Sequence, residues 1–374
     1  MNKIKVLHTI RQGKIGGGET YLMNLVTNLN KEAYEPIVLS FTHGAMVNRL
    51  KELGIAVHVI ETETPFALHV YHKVYKLLKR EKIQLVHMHG TRAATNTLIP
   101  SKLLGLPAIY TVHGWSFHTG NNPLVTSLRK KAEAFITKNA TATICGSEAD
   151  IASGKKHCGR GKYNLIHNSI NTCEYMPENV SSTFREENGF NNDFIIASIA
   201  RITFQKDPQT FLRAIPKVIQ KIPQAKFVMI GNGELKEECV DLANQLGIKN
   251  NVSFLPFSQN VKAVLKDIDV FVLPSLWEVI PLGLLEAMAM EKICIGTKIP
   301  GTTEALIDGY NGYLFETGKD EQLAEKIIQS YVETDTAENL RKNARETVTE
   351  KFDLQKLVTK NEELYKSILE KANV

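Results

Sequence analysis

Short apolar runs alternate with stretches whose apolar positions recur at helical spacing, from residue 4 almost to residue 374. Ile4–Ile10, IKVLHTI, reads as the first strand. A glycine-rich loop over 13–19 and a helix over 20–29 follow. Further strands are predicted at 36–41, 57–60, 85–89, 108–111 and 143–145, with helices near 45–53, 67–81, 92–104, 123–138 and 147–157. Near-continuous apolar strands separated by helices at this spacing predict a parallel sheet wound with helices on both faces.

The alternation pauses over 164–177, NLIHNSINTCEYMP, a polar stretch read as a linker. It restarts with strands at 194–200, 227–230, 252–255, 270–273 and 293–296, and with helices near 208–221, 235–246, 260–267, 281–290 and 320–350. The expected architecture is therefore α/β, with two doubly wound Rossmann-like domains, 1–166 and 178–353, facing a cleft. Ligands of such sheets bind beyond the carboxyl ends of the strands.

Composition changes this picture little. The chain has 374 residues, which favours two domains over one, and 43% hydrophobic with 23% charged residues describes an ordinary soluble protein. No apolar run approaches the roughly 20 residues of a spanning helix, and the N-terminal residues lack a signal-peptide pattern. The five cysteines are scattered with no C-x-x-C, so they read as thiols in a reducing compartment. The expected location is cytoplasmic, with no nucleic-acid partner. Charge is divided unevenly: residues 1–180 carry 22 basic and 12 acidic side chains, or +10, against −5 for the rest. A chance division of solvated faces would give the same count. The sharper reading is attraction to an anionic bilayer, to which 72–80, HKVYKLLKR, would contribute basic residues among apolar ones at helical spacing.

The candidate chemistry centres on 275–306, SLWEVIPLGLLEAMAMEKICIGTKIPGTTEAL. A buried strand ends at Ser275, a loop carries Glu278, and a helix opens at Pro281 and Leu282 with Glu286 inside it. Proline fits the first helical position because its missing N–H would be unpaired there. The free N–H groups of a first turn attract phosphate, and two carboxylates can receive hydroxyls. That combination suits a nucleotide sugar. Arg201 and Lys206 follow the strand at 194–200 and precede a helix, which would make a diphosphate clamp; ordinary surface charge is the plainer account. Gly16-Gly17-Gly18-Glu19 allows close backbone approach to a ligand, although a tight strand–helix turn looks the same. It matches neither dinucleotide nor P-loop signatures. His113 ends a strand and could bond a sugar hydroxyl. His87-x-His89 resembles a metal pair without a third ligand at suitable spacing, and Asp267-x-Asp269 reads as helix end plus strand start, so no metal is expected at either.

Taken together, GGGE at 16–19, HG at 113–114, NSINTCEY at 168–175, R-x4-K at 201–206, GNGE at 231–234 and DVFVLPS-x2-E-x7-E-A-M-A from 269 resemble glycosyltransferase family 4, the retaining GT-B transferases. The resemblance covers nearly the whole chain. It implies that Glu286 binds ribose hydroxyls and Glu278 contacts the donor sugar. Arg201 and Lys206 would hold the diphosphate, Gly17 and Gly18 would close on it, and His113 would lie near the transferred sugar. Gly231, Pro281 and Leu282 would also meet the donor, and Phe257 would border the nucleobase. The catalytic set implied is His113, Glu278, Arg201 and Lys206. The segment 354–374 would cross back onto the first domain.

The sequence departs from the family pattern at Val279, where glycine is usual, at Met290-Glu291-Lys292-Ile293 after A-M-A, and at Asn168-Ser169 in place of Asn-Gly. The activity implied is transfer of a sugar, with retention and without a metal or other cofactor, from a nucleotide-diphosphate donor. A UDP-sugar is favoured over a GDP-sugar. The acceptor would be a saccharide, lipid-linked at the inner face of the cell membrane, in cell-envelope polysaccharide synthesis. A nucleotide-sugar 2-epimerase shares the architecture and is the alternative. A periplasmic-type sugar-binding protein fits less well without an export signal.

Overall fold

The strand Ile4–Ile10 (β1) is hydrogen-bonded on both sides, to Tyr34–Ser40 (β2) and to Leu85–His89, each in parallel. The chain reaches these neighbours through helical crossovers in a computed structural model that describes residues 3–13, 16–117, 122–190, 192–258 and 260–372. Residues 14 and 15 of the predicted glycine loop lie outside the described residues.

By its internal contacts the chain divides into two units, Met1–Asn168 with Leu354–Val374, and Ser169–Asp353. In the first, β1 leads through α1 (Gly17–Asn28), β2, α2 (Ala45–Glu52), β3 (Ala56–Val59), α3 (Leu68–Arg80), β4 (Leu85–His89), α4 (Thr91–Leu103), β5 (Ala108–Val112), α5 (Pro123–Asn139), β6 (Ala142–Cys145), α6 (Glu148–Cys158) and β7 (Tyr163–Leu165). The sheet order is β3-β2-β1-β4-β5-β6-β7, and every pairing is parallel. β4, β5 and β6 are buried along their whole length. Both sheet faces are covered by helices, which is why these strands show unbroken apolar runs.

The second unit begins with the turn α7 (Phe184–Asn188), followed by β8 (Phe194–Ile199), α8 (Pro208–Lys221), β9 (Ala225–Ile230), α9 (Lys236–Gln245), β10 (Val252–Leu255), α10 (Val261–Asp267), β11 (Val270–Leu273), α11 (Leu282–Ala289), β12 (Ile293–Thr297), α12 (Pro300–Thr303), β13 (Tyr313–Phe315), α13 (Asp320–Val332) and α14 (Thr334–Lys351). Its parallel sheet has the order β10-β9-β8-β11-β12-β13. Two apolar layers sandwich it. One centres on Phe211, Ile215 and Phe227 and the other on Phe271, Leu284 and Met288.

The last helix, α15 (Leu354–Ala372), packs in the first unit. Leu357, Val358, Tyr365 and Leu369 join one core cluster with Val6, Tyr21 and Leu25.

Four features differ from expectation. The predicted linker begins too early, because Tyr163–Leu165 pairs with β6 as an edge strand and the units divide after Asn168. The first helix starts at Gly17 rather than residue 20, so Gly17 and Gly18 lie in its first turn rather than in a loop. The long helix predicted over 320–350 is two helices, interrupted at Glu333. The apolar side of α3 is not available to a bilayer, because Val74, Leu77 and Leu78 are buried in the core beside Val86 and Met88, although Leu68 at the start of the helix is exposed.

Candidate functional site

In the second unit the sheet order reverses direction at β8, with β9 on one side and β11 on the other. A ligand site is expected where loops leave the carboxyl ends of such a pair. Arg201 and Lys206 follow β8, while Glu278 and the α11 residue Glu286 follow β11. These four expected site residues therefore sit astride one switch point.

Within that edge Lys206 Nζ donates to Glu278 Oε1. Ser275 Oγ donates to the same oxygen at 2.7 Å. The loops carrying the pair are tied by backbone as well. Leu276 N donates to Gln205 O at 2.8 Å, and Gln205 Nε2 donates to Trp277 O at 2.8 Å. Ser275 is itself fixed through Thr297 Oγ1, which donates to its carbonyl at 2.6 Å and so links β11 to β12.

Close backbone approach requires glycine at 231 and 301, as it does at 233. A Cβ on Gly231, where φ is +148°, would lie 2.0 Å from Ala200 O. That contact lets the turn after β9 press against the segment bearing Arg201, and Ile202 N donates to Asn232 O at 3.0 Å there. A Cβ on Gly301 would lie 2.0 Å from Val279 O and 2.4 Å from Glu278 O. The first turn of α12 thus supports the Glu278 loop from behind, including Val279, where the family pattern has glycine.

Pro281 takes the position just before the first helical residue of α11 rather than the first position itself. Its carbonyl accepts from Leu284 N and Leu285 N at 3.1 and 3.2 Å. Pro281 is buried and Leu282 half-buried. Burial pushes the Glu286 carboxyl above the ordinary range, and a hydrogen bond from the Tyr175 hydroxyl opposes that shift. Burial, followed by the charge of Glu286, pushes the Tyr175 hydroxyl up in turn. Arg201 is exposed. Phe257 follows β10, two strands away from β8, and is 60% exposed.

Asp267 and Asp269 are both committed to structure. Asp267 accepts from Ser182 Oγ at 2.7 Å and Arg185 N at 3.1 Å. Asp269 accepts from Arg185 Nη2 at 2.9 Å and Ile195 N at 2.8 Å.

In the first unit Gly18 and His113 meet. A Cβ on Gly18 would lie 3.2 Å from His113 Cδ2 and Cγ. His113 Nε2 is 3.1 Å from His89 Nδ1, and His89 Nε2 is 3.2 Å from His8 Nδ1, each a hydrogen bond with one nitrogen protonated. His87 bonds Tyr365 Oη and Thr111 Oγ1, both at 2.6 Å. The absence of a third histidine near His87 and His89, expected from spacing, is corrected here: His8 is that residue. Parallel pairing of β1 with β4 sets His8 opposite His87, and one ring nitrogen from each of the three lies within 4.8 Å of the others. Both His87 nitrogens already have hydroxyl partners, and the facing nitrogens of His8 and His89 bond each other. The cluster is accordingly read as a hydrogen-bonded core network. Burial lowers His8 to about 3 and His113 to about 4, and holds His87 and His89 well below the ordinary imidazole value.

Sequence reasoning missed His8, Ser275, Tyr175 and the support given by Gly301. For the histidines a signal was present. Residues i and i+2 of a strand share a face, so His87 and His89 had to project together, but the partner strand could not be read locally.

Comparisons with known proteins agree with this geometry. The family described as glycosyl transferases group 1 matches residues 180–347, and Glycosyltransferase Family 4 matches residues 15–174. The UDP-Gal:alpha-D-GlcNAc-diphosphoundecaprenol alpha-1,3-galactosyltransferase of Escherichia coli is 29% identical over 301 residues, covering 78% of this chain and 77% of that one. The N-acetyl-alpha-D-glucosaminyl L-malate synthase of Bacillus anthracis is 25% identical, covering 82% of this chain and 80% of its own. Among solved structures, Anabaena HepE in complex with UDP and glucose superposes with a TM-score of 0.87 at 22% identity, over 97% of this chain and all of that one. WaaG, a glycosyltransferase involved in lipopolysaccharide biosynthesis, gives 0.75 at 16% identity over 95% of this chain and 98% of its own. Two parallel α/β sheets in these orders, the two family matches end to end, and these structural likenesses lead to one assignment: the chain is a GT-B glycosyltransferase of family 4.

Proposed function

We propose that the protein transfers a sugar, with retention at the anomeric carbon, from a UDP-sugar to a saccharide acceptor carried on a lipid. The observation that carries this reading is the Lys206–Glu278 pair at the switch point of the second sheet, on the segments after β8 and β11 that also carry Arg201 and Glu286. Cations there can hold a diphosphate, and carboxylates can accept hydroxyls of ribose and sugar. Relatives named for UDP-galactose transfer and for a complex with UDP and glucose favour uridine over guanosine as the base.

In the proposed reaction the bond from C1 to the diphosphate oxygen breaks, and its electron pair leaves with the diphosphate. The acceptor hydroxyl oxygen bonds C1 from the same face. Its proton passes to a leaving diphosphate oxygen, so no protein nucleophile is needed. Arg201 and Lys206 stabilise the charge that grows on the leaving group, which is electrostatic catalysis by preorganised groups. Glu286 orients the ribose and Glu278 the transferred sugar, converting binding into alignment. His113, neutral because it is desolvated, is assigned to a sugar hydroxyl, and Gly17 and Gly18 to close approach of backbone to the donor.

The test is a panel of UDP- and GDP-sugars read by thermal shift, since a bound ligand raises the melting temperature, followed by product analysis with a lipid-linked saccharide. Stabilisation by UDP-sugars and a glycosylated product are expected. An epimerised nucleotide sugar formed without any acceptor would instead assign the enzyme to 2-epimerisation.

A further inference from the structure

We infer that α5 of the first unit is a membrane-docking face for anionic lipid. The inference rests on the proposed lipid-linked acceptor for its biological sense, but the observations are independent of it. Leu124, Leu128, Lys131, Phe135 and Lys138 stand at i, i+4, i+7, i+11 and i+14, which is one stripe of a helix. All five are exposed. Leu124 is 70%, Leu128 59% and Phe135 41% exposed, although a single-sided helix normally spends such residues on its core.

The opposite side of α5 does serve the core, because Glu133, Ile136 and Thr137 are buried there. Glu133 is the only acid of the helix, and it accepts hydrogen bonds from Thr91 Oγ1 and Tyr110 Oη, both at 2.7 Å. The outward surface of α5 therefore mixes large apolar groups with lysines and carries no negative charge. The neighbouring segment extends it. Phe66 stacks edge-on against Phe135 with ring centroids 6.2 Å apart, and Leu68 is 75% exposed.

A protein partner that covers an apolar stripe does not require flanking cations without acids. A bilayer with anionic headgroups does: the apolar side chains enter the acyl boundary while the lysine stems reach back to the phosphates. Among the described residues no helix is long and apolar enough to cross a membrane, so attachment through this face would be peripheral. The basic helix α3, which the sequence suggested for this role, has its apolar side committed to the core.

Co-sedimentation of the full chain with phosphatidylcholine vesicles, with and without phosphatidylglycerol, tests the assignment. The wild type is expected to bind the anionic vesicles. The triple variant Leu124→Ser, Leu128→Ser, Phe135→Ser is expected to lose at least about tenfold in partition coefficient, and so is Lys131→Glu with Lys138→Glu. These side chains are exposed, so retained folding is checked by an unchanged melting temperature. Equal binding of the wild type and both variants, loss only on charge reversal of Lys73 and Lys76 in α3, or no binding by the wild type would each overturn the α5 face. So would a wild-type dimer that the triple variant dissociates. UDP-induced stabilisation, measured in parallel without lipid, reports on the donor site alone. Its absence would sink the transferase reading while leaving the vesicle result to stand by itself.

Discussion

Lys206 and Glu278 neutralise each other, with side chains only 17% and 8% exposed. Ser275 supplies a second donor to the same carboxylate oxygen. The cation assigned to the diphosphate and the acid assigned to the sugar are thus held in one largely buried pair. A diphosphate would offer Lys206 a second anion and leave Glu278 more free to accept from the sugar.

Removing either proposed clamp cation should slow the reaction. Lys206→Ala and Arg201→Ala are each expected to lower kcat by more than tenfold, given about 1.5–3 kcal/mol for a charged hydrogen bond. Steady-state kinetics with the best donor decide this. Unchanged turnover in both variants would remove the diphosphate role from these residues.

The pair should also contribute to folding. Glu278→Gln keeps the shape but leaves the Lys206 ammonium without its counter-charge in a largely buried place, which should destabilise the protein by about 1–3 kcal/mol. Chemical denaturation at neutral pH measures this loss. Adding UDP should restore part of it, because the diphosphate can take the vacated place beside Lys206.

Gly301→Ala is expected to impair the donor site more than the fold. The new Cβ would meet two carbonyl oxygens of the Glu278–Val279 loop at 2.0 and 2.4 Å, so that loop has to move. A rise of about tenfold in donor Kd follows if Glu278 loses one charged hydrogen bond to the sugar. Calorimetric titration with a UDP-sugar gives the value, and a Kd equal to that of the wild type would contradict the supporting role.

The buried histidines predict a pH dependence of stability. His8 and His113 titrate near 3 and 4 in the folded protein, and His87 and His89 are also depressed, in each case first through burial. In the unfolded chain they protonate near the ordinary value of about 6.5. Below that pH the unfolded state binds protons that the folded state refuses. Their contribution is therefore complete above about 6.5 and is lost as the pH falls toward the folded values. Each imidazole adds up to about 1.4 kcal/mol per pH unit to the slope. Unfolding free energies measured across this window should fall steeply for the wild type and less steeply for His8→Asn.

The two wound sheets were legible because buried parallel strands leave unbroken apolar runs such as Val270–Leu273. The strands missed were Tyr163–Leu165 and Tyr313–Phe315, three residues each at a sheet edge, too short to form a run. Glycine disfavours helices, so the sequence puts Gly17 and Gly18 in a loop, whereas they open α1, with Gly18 close to the His113 ring. Among site residues, Arg201, Lys206, Glu278 and Glu286 were legible because each follows a recognisable strand end. His8 was not, because its meeting with His89 depends on which strands become neighbours, and that is decided by the fold as a whole. Basic helix α3 misled for a related reason: periodicity shows that a helix has an apolar side but not what covers it.

The placement of α15 has a consequence for biosynthesis. Tyr365, Leu369 and their neighbours complete a cluster whose other members, Val6 and Leu25, are translated first. The ribosome must deliver the whole of 169–353 before those early residues find their last partners, so the second unit has the chance to fold while the first still waits, its flank open to chaperones.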